Sequence, residues 1–155
     1  IDIYPYDGLG TTEKEAVTYG MKGDRLSSLC YQSTREHFAI ETTTSLFRKI
    51  IKYPIFIGSK LIGKDYFQKK LNQLVELKEY EDSNYIGCIV WLSKKEIFLR
   101  KWFDETIMVP FEKYQFRVPK DYDEVLRHTY GDYMQLPPEK DRIGHHYFKA
   151  YRKDE

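Results

Sequence analysis

The residues with the right type and spacing for chemistry lie mostly at the two ends of this chain. Asp2 stands between Ile1 and Ile3 in "IDIYP". Strand alternation would put the two isoleucines on one face and the carboxylate on the other. Two readings of Asp2 stay open: a solvent-facing acid on an edge strand, or a carboxylate ligand for a hard cation such as Mg²⁺. Such a cation takes one or two protein carboxylates and completes its shell with water and substrate phosphate oxygens. Asp7, directly before Gly8, reads as the cap of a turn.

The other end carries "YGDYMQLPPEKDRIGHH", Tyr130 to His146. Gly131 releases the chain from a preceding helix, and Pro137-Pro138 impose an extended course. That geometry pushes Asp132, Tyr133, Lys140 and Arg142 outward from a fixed post. His145 and His146 are adjacent and cannot share one helix or strand face, so they lack the i, i+3 or i, i+4 spacing of a paired zinc site. One of them hydrogen-bonding a phosphate or hydroxyl, with the other structural, is the better functional reading. His37 and His128 carry no local signal. On composition alone a rigid structural loop explains this run as simply as a substrate-binding one.

Other catalytic signatures are missing. There is no GxSxG elbow and no glycine-rich phosphate loop, and "YGMKGDR" (Tyr19 to Arg25) has no strand before it. Over 155 residues the charged side chains nearly cancel to +1, so no surplus of cations is available to neutralise a nucleic-acid backbone. Basic clusters such as "FRKIIK" (Phe47 to Lys52) read as solvated helix faces. Cys30 and Cys88 are far apart and form no CxxC, which indicates reduced thiols and a cytoplasmic setting. No run approaches the roughly 18 apolar residues of a spanning helix, and no secretory signal is present.

Positioning these residues requires a set of elements that the pattern outlines. "IDIYP" reads as a short strand broken at Pro5 and at an Asp7-Gly8 turn. A chain opening mid-strand at Ile1 suggests that upstream sequence belongs to the same domain. From Thr11 to about Lys52 the composition is helical, with Gly20 and Gly23 separating two helices. In the second, Leu46, Phe47, Ile50 and Ile51 fall on one expected buried face. "YPIFIGSKLIG" (Tyr53 to Gly63) reads as a connector. Phe67, Leu71, Leu74 and Val75 then mark an amphipathic helix. "NYIGCIVWL" (Asn84 to Leu92) reads as an apolar strand buried on both faces. "TIMVPF" and "YQFRVP" make a hairpin, with Pro110 forcing an edge or a bulge. "DYDEVLRHTYG" is a helix with Asp121 and Glu124 as a capping box, Tyr122, Val125 and Leu126 facing inward, and Gly131 at its end. The expected class is α+β around one core.

Several of these segments together resemble the LicD-type phosphotransferases. "IDIYPYDGL" is similar to that family's "IDIFPLDG", and "GCIVW", "VPFEKYQFRVPKDYDEVL", "YGDYMQLPPEKDR" and the "HH" pair follow in the family's order. The most specific part is "YGDYMQLPP" with the charged residues and histidines behind it. Lys113 stands where the family usually has glycine after "FE". The family's main metal carboxylates lie in a "WDDDID"-like motif that this sequence lacks.

The resemblance implies a nucleotidyltransferase-like mixed sheet with helices. It implies that residues 1–155 are the C-terminal part of an N-terminally incomplete domain, inactive without its other half. The implied reaction moves phosphocholine from CDP-choline, or a related cytidine nucleotide, to a hydroxyl of a teichoic acid, lipopolysaccharide or capsule. Asp2 would be the later catalytic metal carboxylate, holding Mg²⁺. Asp132, Tyr133, Lys140, Arg142, His145 and His146 would bind substrate, while Tyr4, Tyr130, Tyr133 or Trp91 could offer a ring to the choline. The implied location is the cytoplasm, at the inner face of the membrane. Transfer of another phospho-alditol or sugar phosphate, or a catalytically silent glycan-binding or partner-binding module, are the alternatives.

Overall fold

The computed structural model describes residues 3–38, 45–136, 138, 139 and 142. Asp2, Lys140, His145 and His146 therefore lie outside the described residues, as does Pro137 of the Pro-Pro pair.

The chain enters along residues 3–6 without regular structure, with Ile3 87% exposed. The first strand, β1 (Asp7–Gly10), starts after Pro5, where a turn was expected. It pairs antiparallel with β2 (Tyr85–Gly87), and β2 pairs with β3 (Phe98–Leu99). Glycine explains why the strand sits there. A Cβ on Gly8 would lie 2.5 Å from both the Glu79 carbonyl oxygen and Ser83 Oγ, so only a bare backbone can approach that loop. Between the two glycines Leu9 is completely buried.

Helix α1 (Glu13–Thr34) opens with a Thr12 cap, whose Oγ1 accepts the Glu15 N–H at 3.3 Å. Glu15 Oε2 in turn accepts the Thr11 N–H at 3.0 Å. This reciprocal arrangement satisfies orphan donors at the helix start. Contrary to the expected break, α1 runs unbroken through Gly20 and Gly23, both buried. Their role is close packing: a Cβ on Gly20 would collide with Leu92, and one on Gly23 with Ile89, including its carbonyl oxygen at 2.6 Å.

Helix α2 (Leu46–Ile62) absorbs the segment read as a connector and carries Pro54 inside it. Its apolar face is also reversed from expectation. Phe56 and Ser59 are buried, while Leu46, Phe47, Ile50 and Ile51 are exposed. Periodicity fixes which residues share a face but not which face meets the core, and here α1 takes the opposite one. Gly63, at φ +88°, makes the turn into α3 (Lys64–Val75). Helix α3 matches its sequence signature, burying Phe67 and Leu74 and half-burying Leu71 and Val75.

The long apolar strand expected over Asn84–Leu92 is cut short. Strand pairing ends at Gly87, the chain turns, and Trp91 is 71% exposed, although Ile86, Cys88 and Ile89 are buried. A second, two-stranded sheet joins β4 (Thr106–Phe111) to β5 (Tyr114–Pro119) through Glu112-Lys113. Pro110 sits opposite Gln115 without a bulge, because each strand of a two-stranded ribbon is an edge. Helix α4 (Tyr122–Tyr130) follows as expected, with Asp121 at its N-cap position. The Asp121 side chain makes no cap hydrogen bond, so the capping box does not form, and Tyr122 is exposed rather than inward.

The described residues form mixed helix and small antiparallel sheets, an α+β arrangement. Leu9, Ala16, Leu74, Ile89 and Ile97 form the core, joining β1, α1, α3 and the turns around β2 and β3.

Candidate active site

The loop after α4 is built by Gly131, whose φ of +72° suits glycine and whose N–H closes onto the Arg127 carbonyl at 2.8 Å. Beyond it Asp132 is exposed, while Tyr133 is half-buried and folds back onto α4. The Tyr133 hydroxyl donates to Asp123 Oδ1 at 2.6 Å, and Arg127 Nε donates to Asp123 Oδ2 at 2.7 Å. Arg127 and Tyr133 hold the Asp123 carboxyl below its usual range, while that carboxylate raises the Tyr133 phenol and the Arg127 guanidinium. Tyr133 therefore spends its hydroxyl locking the loop to the helix. Asp132 lies close enough to add to the Arg127 shift. Further on, the Arg142 N–H donates to the Glu139 carbonyl at 3.2 Å. Of the residues expected to bind substrate, only the sequence neighbours Asp132 and Tyr133 are seen together.

A different acid, passed over as a turn cap, is held inside the sheet. Asp7 is half-buried opposite Gly87, and its carboxylate accepts the Ile89 backbone N–H. Burial raises its carboxyl above the usual range, and the Ile89 amide partly offsets that. Tyr19 is raised by burial and then by Asp7, and the Cys88 thiol by burial with smaller pushes from Asp7 and Glu96. Burial, followed by Glu96, also raises the Tyr6 phenol, whose ring packs 5.6 Å from Phe98 and 5.5 Å from Phe103. Among the described residues no three His, Cys, Asp or Glu side chains converge as a metal-binding group.

The feature best shaped for a small molecule is a cavity of about 350 Å³ between α1, β2, β3 and α4. Its walls include Tyr85, Trp102 and His128, with Val17, Ile97 and Leu99 as apolar lining and Glu13 and Lys94 at the charged margins. The His128 ring packs against Trp102 at 5.6 Å and Phe98 at 5.7 Å. Thr129 Oγ1 donates to the Lys95 carbonyl at 3.4 Å, tying α4 to the short turn that carries Lys94. Aromatic faces with a carboxylate nearby suit an organic cation, whereas a lysine and a histidine suit an anionic oxygen. A zwitterion carrying both groups would meet both environments. His128 gave no signal in the sequence because its partners come from distant segments. The one local hint was the "TTEKE" cap, which fixes Glu13 in the first turn of a helix.

A larger, more open cavity of about 500 Å³ lies along α1, lined by Thr12, Lys14, Glu15, Thr18, Tyr19, Lys22 and Lys78. There Lys78 pairs with Glu15 and places its ammonium 5.1 Å from the centre of the Tyr19 ring.

Comparison with known proteins adds a relationship across the sequence. The chain is 31% identical over 157 aligned positions to the lipopolysaccharide cholinephosphotransferase LicD of Haemophilus influenzae. The alignment covers 97% of this chain and 56% of the relative, so the chain spans a little over half that protein's length. No family model matches the chain, and no solved structure matches it significantly. The chain is thus similar to a LicD cholinephosphotransferase along nearly all of its own length.

Proposed function

We propose that the protein transfers phosphocholine from a cytidine nucleotide, CDP-choline, to a hydroxyl of a cell-surface glycan. The observation that carries this reading is the cavity in which Tyr85, Trp102 and Glu13 face the same space as Lys94 and His128. A quaternary ammonium is attracted to aromatic faces and to a carboxylate, and the phosphate beside it to the two basic side chains. The relative's own activity is cholinephosphate transfer to lipopolysaccharide, which agrees with that pairing of groups. The parent fold in this proposal is nucleotidyltransferase-like.

In the reaction the acceptor oxygen forms a bond to the phosphorus that carries choline. The bond from that phosphorus to the oxygen bridging it to CMP breaks, and the acceptor hydroxyl loses its proton. Tyr85, Trp102 and Glu13 would hold the choline end in line for this displacement. Lys94 and His128 would neutralise phosphate oxygens, which is most of what a loose phosphoryl transfer asks of its site. Mg²⁺ is part of the proposal, with Asp2 as its ligand, and bound there it would spread the charge of the diphosphate. Among the described residues no three His, Cys, Asp or Glu side chains converge, and no step is derived through the ion.

Isothermal titration of the full-length protein with CDP-choline and with CDP-ribitol, in the presence of Mg²⁺, tests the reading. Selective binding of the choline nucleotide is expected. Trp102→Ala should weaken that binding by roughly tenfold or more, on the scale of a desolvated cation–π contact. Equal binding of both nucleotides would point to another phospho-alditol, and no binding of either to a silent module. For the metal role, Asp2→Asn is expected to abolish turnover with an unchanged circular dichroism spectrum; retained turnover would return Asp2 to the surface-acid reading.

A further inference from the structure

Helix α2 turns its apolar side outward, and the other functions assigned above make no use of it. Leu46, Phe47, Ile50, Ile51, Leu61 and Ile62 are 74%, 72%, 64%, 48%, 83% and 55% exposed. At about 100° per residue they fall on one half of the helix surface, opposite buried Phe56 and Ser59. Between Ser45 and Lys64 the only charged residues are Arg48, Lys49, Lys52, Lys60 and Lys64, with no acid among them. Outside this segment acids outnumber bases by four, so positive charge is concentrated here.

We infer that α2 is a membrane-docking helix that lies in the plane of an anionic lipid surface. An outward apolar face flanked by cations, here Arg48 and Lys60, with Lys49 and Lys52 farther round on the polar side that also carries Phe56 and Ser59, is the pattern of an in-plane interfacial helix. The long lysine and arginine stems let their charges reach headgroup phosphates while the isoleucines and Phe47 enter the acyl boundary. Exposed Tyr53 suits the same interface. Spanning is not the alternative: among the described residues no helix is long and apolar enough to cross a membrane. Every charge in this segment is positive, which an anionic bilayer complements and a second copy of the same helix does not. The inference concerns where the protein works and is independent of which group it transfers.

Co-sedimentation of the full-length protein with vesicles of phosphatidylglycerol and phosphatidylethanolamine, against pure phosphatidylcholine vesicles, is the test. Binding is expected only to the anionic vesicles and should fall as salt rises from 50 to about 500 mM, where charges are screened within a few ångströms. Replacing the flanking cations, Arg48→Gln with Lys60→Gln, should lower partitioning by about twenty-five-fold, taking each cation at about fivefold. Phe47→Asp with Leu61→Asp should remove binding while light scattering and circular dichroism stay unchanged. Absent binding, equal binding to neutral vesicles, or indifference to the charge variants would overturn the assignment. So would protection of 46–62 from hydrogen exchange in lipid-free protein, which would mean that polypeptide covers this face. Loss of a dimer in the aspartate variant, without loss of vesicle binding, would assign the face to a second copy. Should the aspartate variant fail to fold, the charge variants and the salt dependence of the unaltered protein still decide.

Discussion

Individual side chains in this protein show how strongly context outweighs residue type. Glu15 is an exposed-looking acid in a charged helix start, yet Lys78 and the Thr11 N–H hold its carboxyl down at about 2. The unfolded carboxyl titrates near 4.5. A depressed folded value means that Glu15 contributes stability above the unfolded pKa and loses it as pH falls toward about 2. Urea midpoints measured from pH 5 to 2 should therefore decline, and Glu15→Gln should flatten part of that decline; an unchanged slope would count against the Glu15–Lys78 pair. Asp7 has the opposite sign. Its carboxyl is raised by burial, so its contribution is greatest below the unfolded value and is lost as pH rises through the folded one. The residue-level chemistry of the candidate site was hard to read for the same reason. Trp102, Glu13, Lys94 and His128 are unremarkable in their local contexts and come to line one cavity only as neighbours in space.

At the scale of elements, the informative cases are those in which a local rule met a tertiary requirement. Glycine inside a helix costs about 1 kcal/mol against alanine, which is why Gly20 and Gly23 suggested a break. The helix keeps them because α1 passes so close to Ile89 and Leu92 that no side chain fits. Gly23→Ala should therefore destabilise the fold by about 1–3 kcal/mol in urea unfolding, since overpacking outweighs the gain in helix propensity. A neutral or stabilising result would mean that the Ile89 turn can withdraw. Elements whose signal is wholly local were legible: α3 by its spacing of Phe67, Leu71, Leu74 and Val75, the β4–β5 hairpin by its alternation, and α4 by its glycine stop. The hairpin pairs along its full length, yet most of its residues on both strands are exposed, among them Met108, Phe111, Tyr114 and Phe116. Such a ribbon is marginal by itself in water.

For the whole molecule, the sequence alone determined the α+β class, the reduced thiols at Cys30 and Cys88, the α3 and α4 helices and the hairpin, and it carried the resemblance to the LicD family. All of these rest on period, punctuation and order along the chain, which neighbouring residues are enough to specify. Tertiary structure decided which face of α2 meets the core, where β1 lies relative to Pro5, and why α1 continues through its glycines. It also decided that Tyr133 pairs with Asp123, and that Glu13, Tyr85, Lys94, Trp102 and His128 share one cavity. The physical reason is the same in each case. Hydrophobic burial and close packing are not directional along the sequence, so an apolar stripe or a glycine says that something must approach it without saying what. Only the assembled neighbours, distant along the chain, choose the partner.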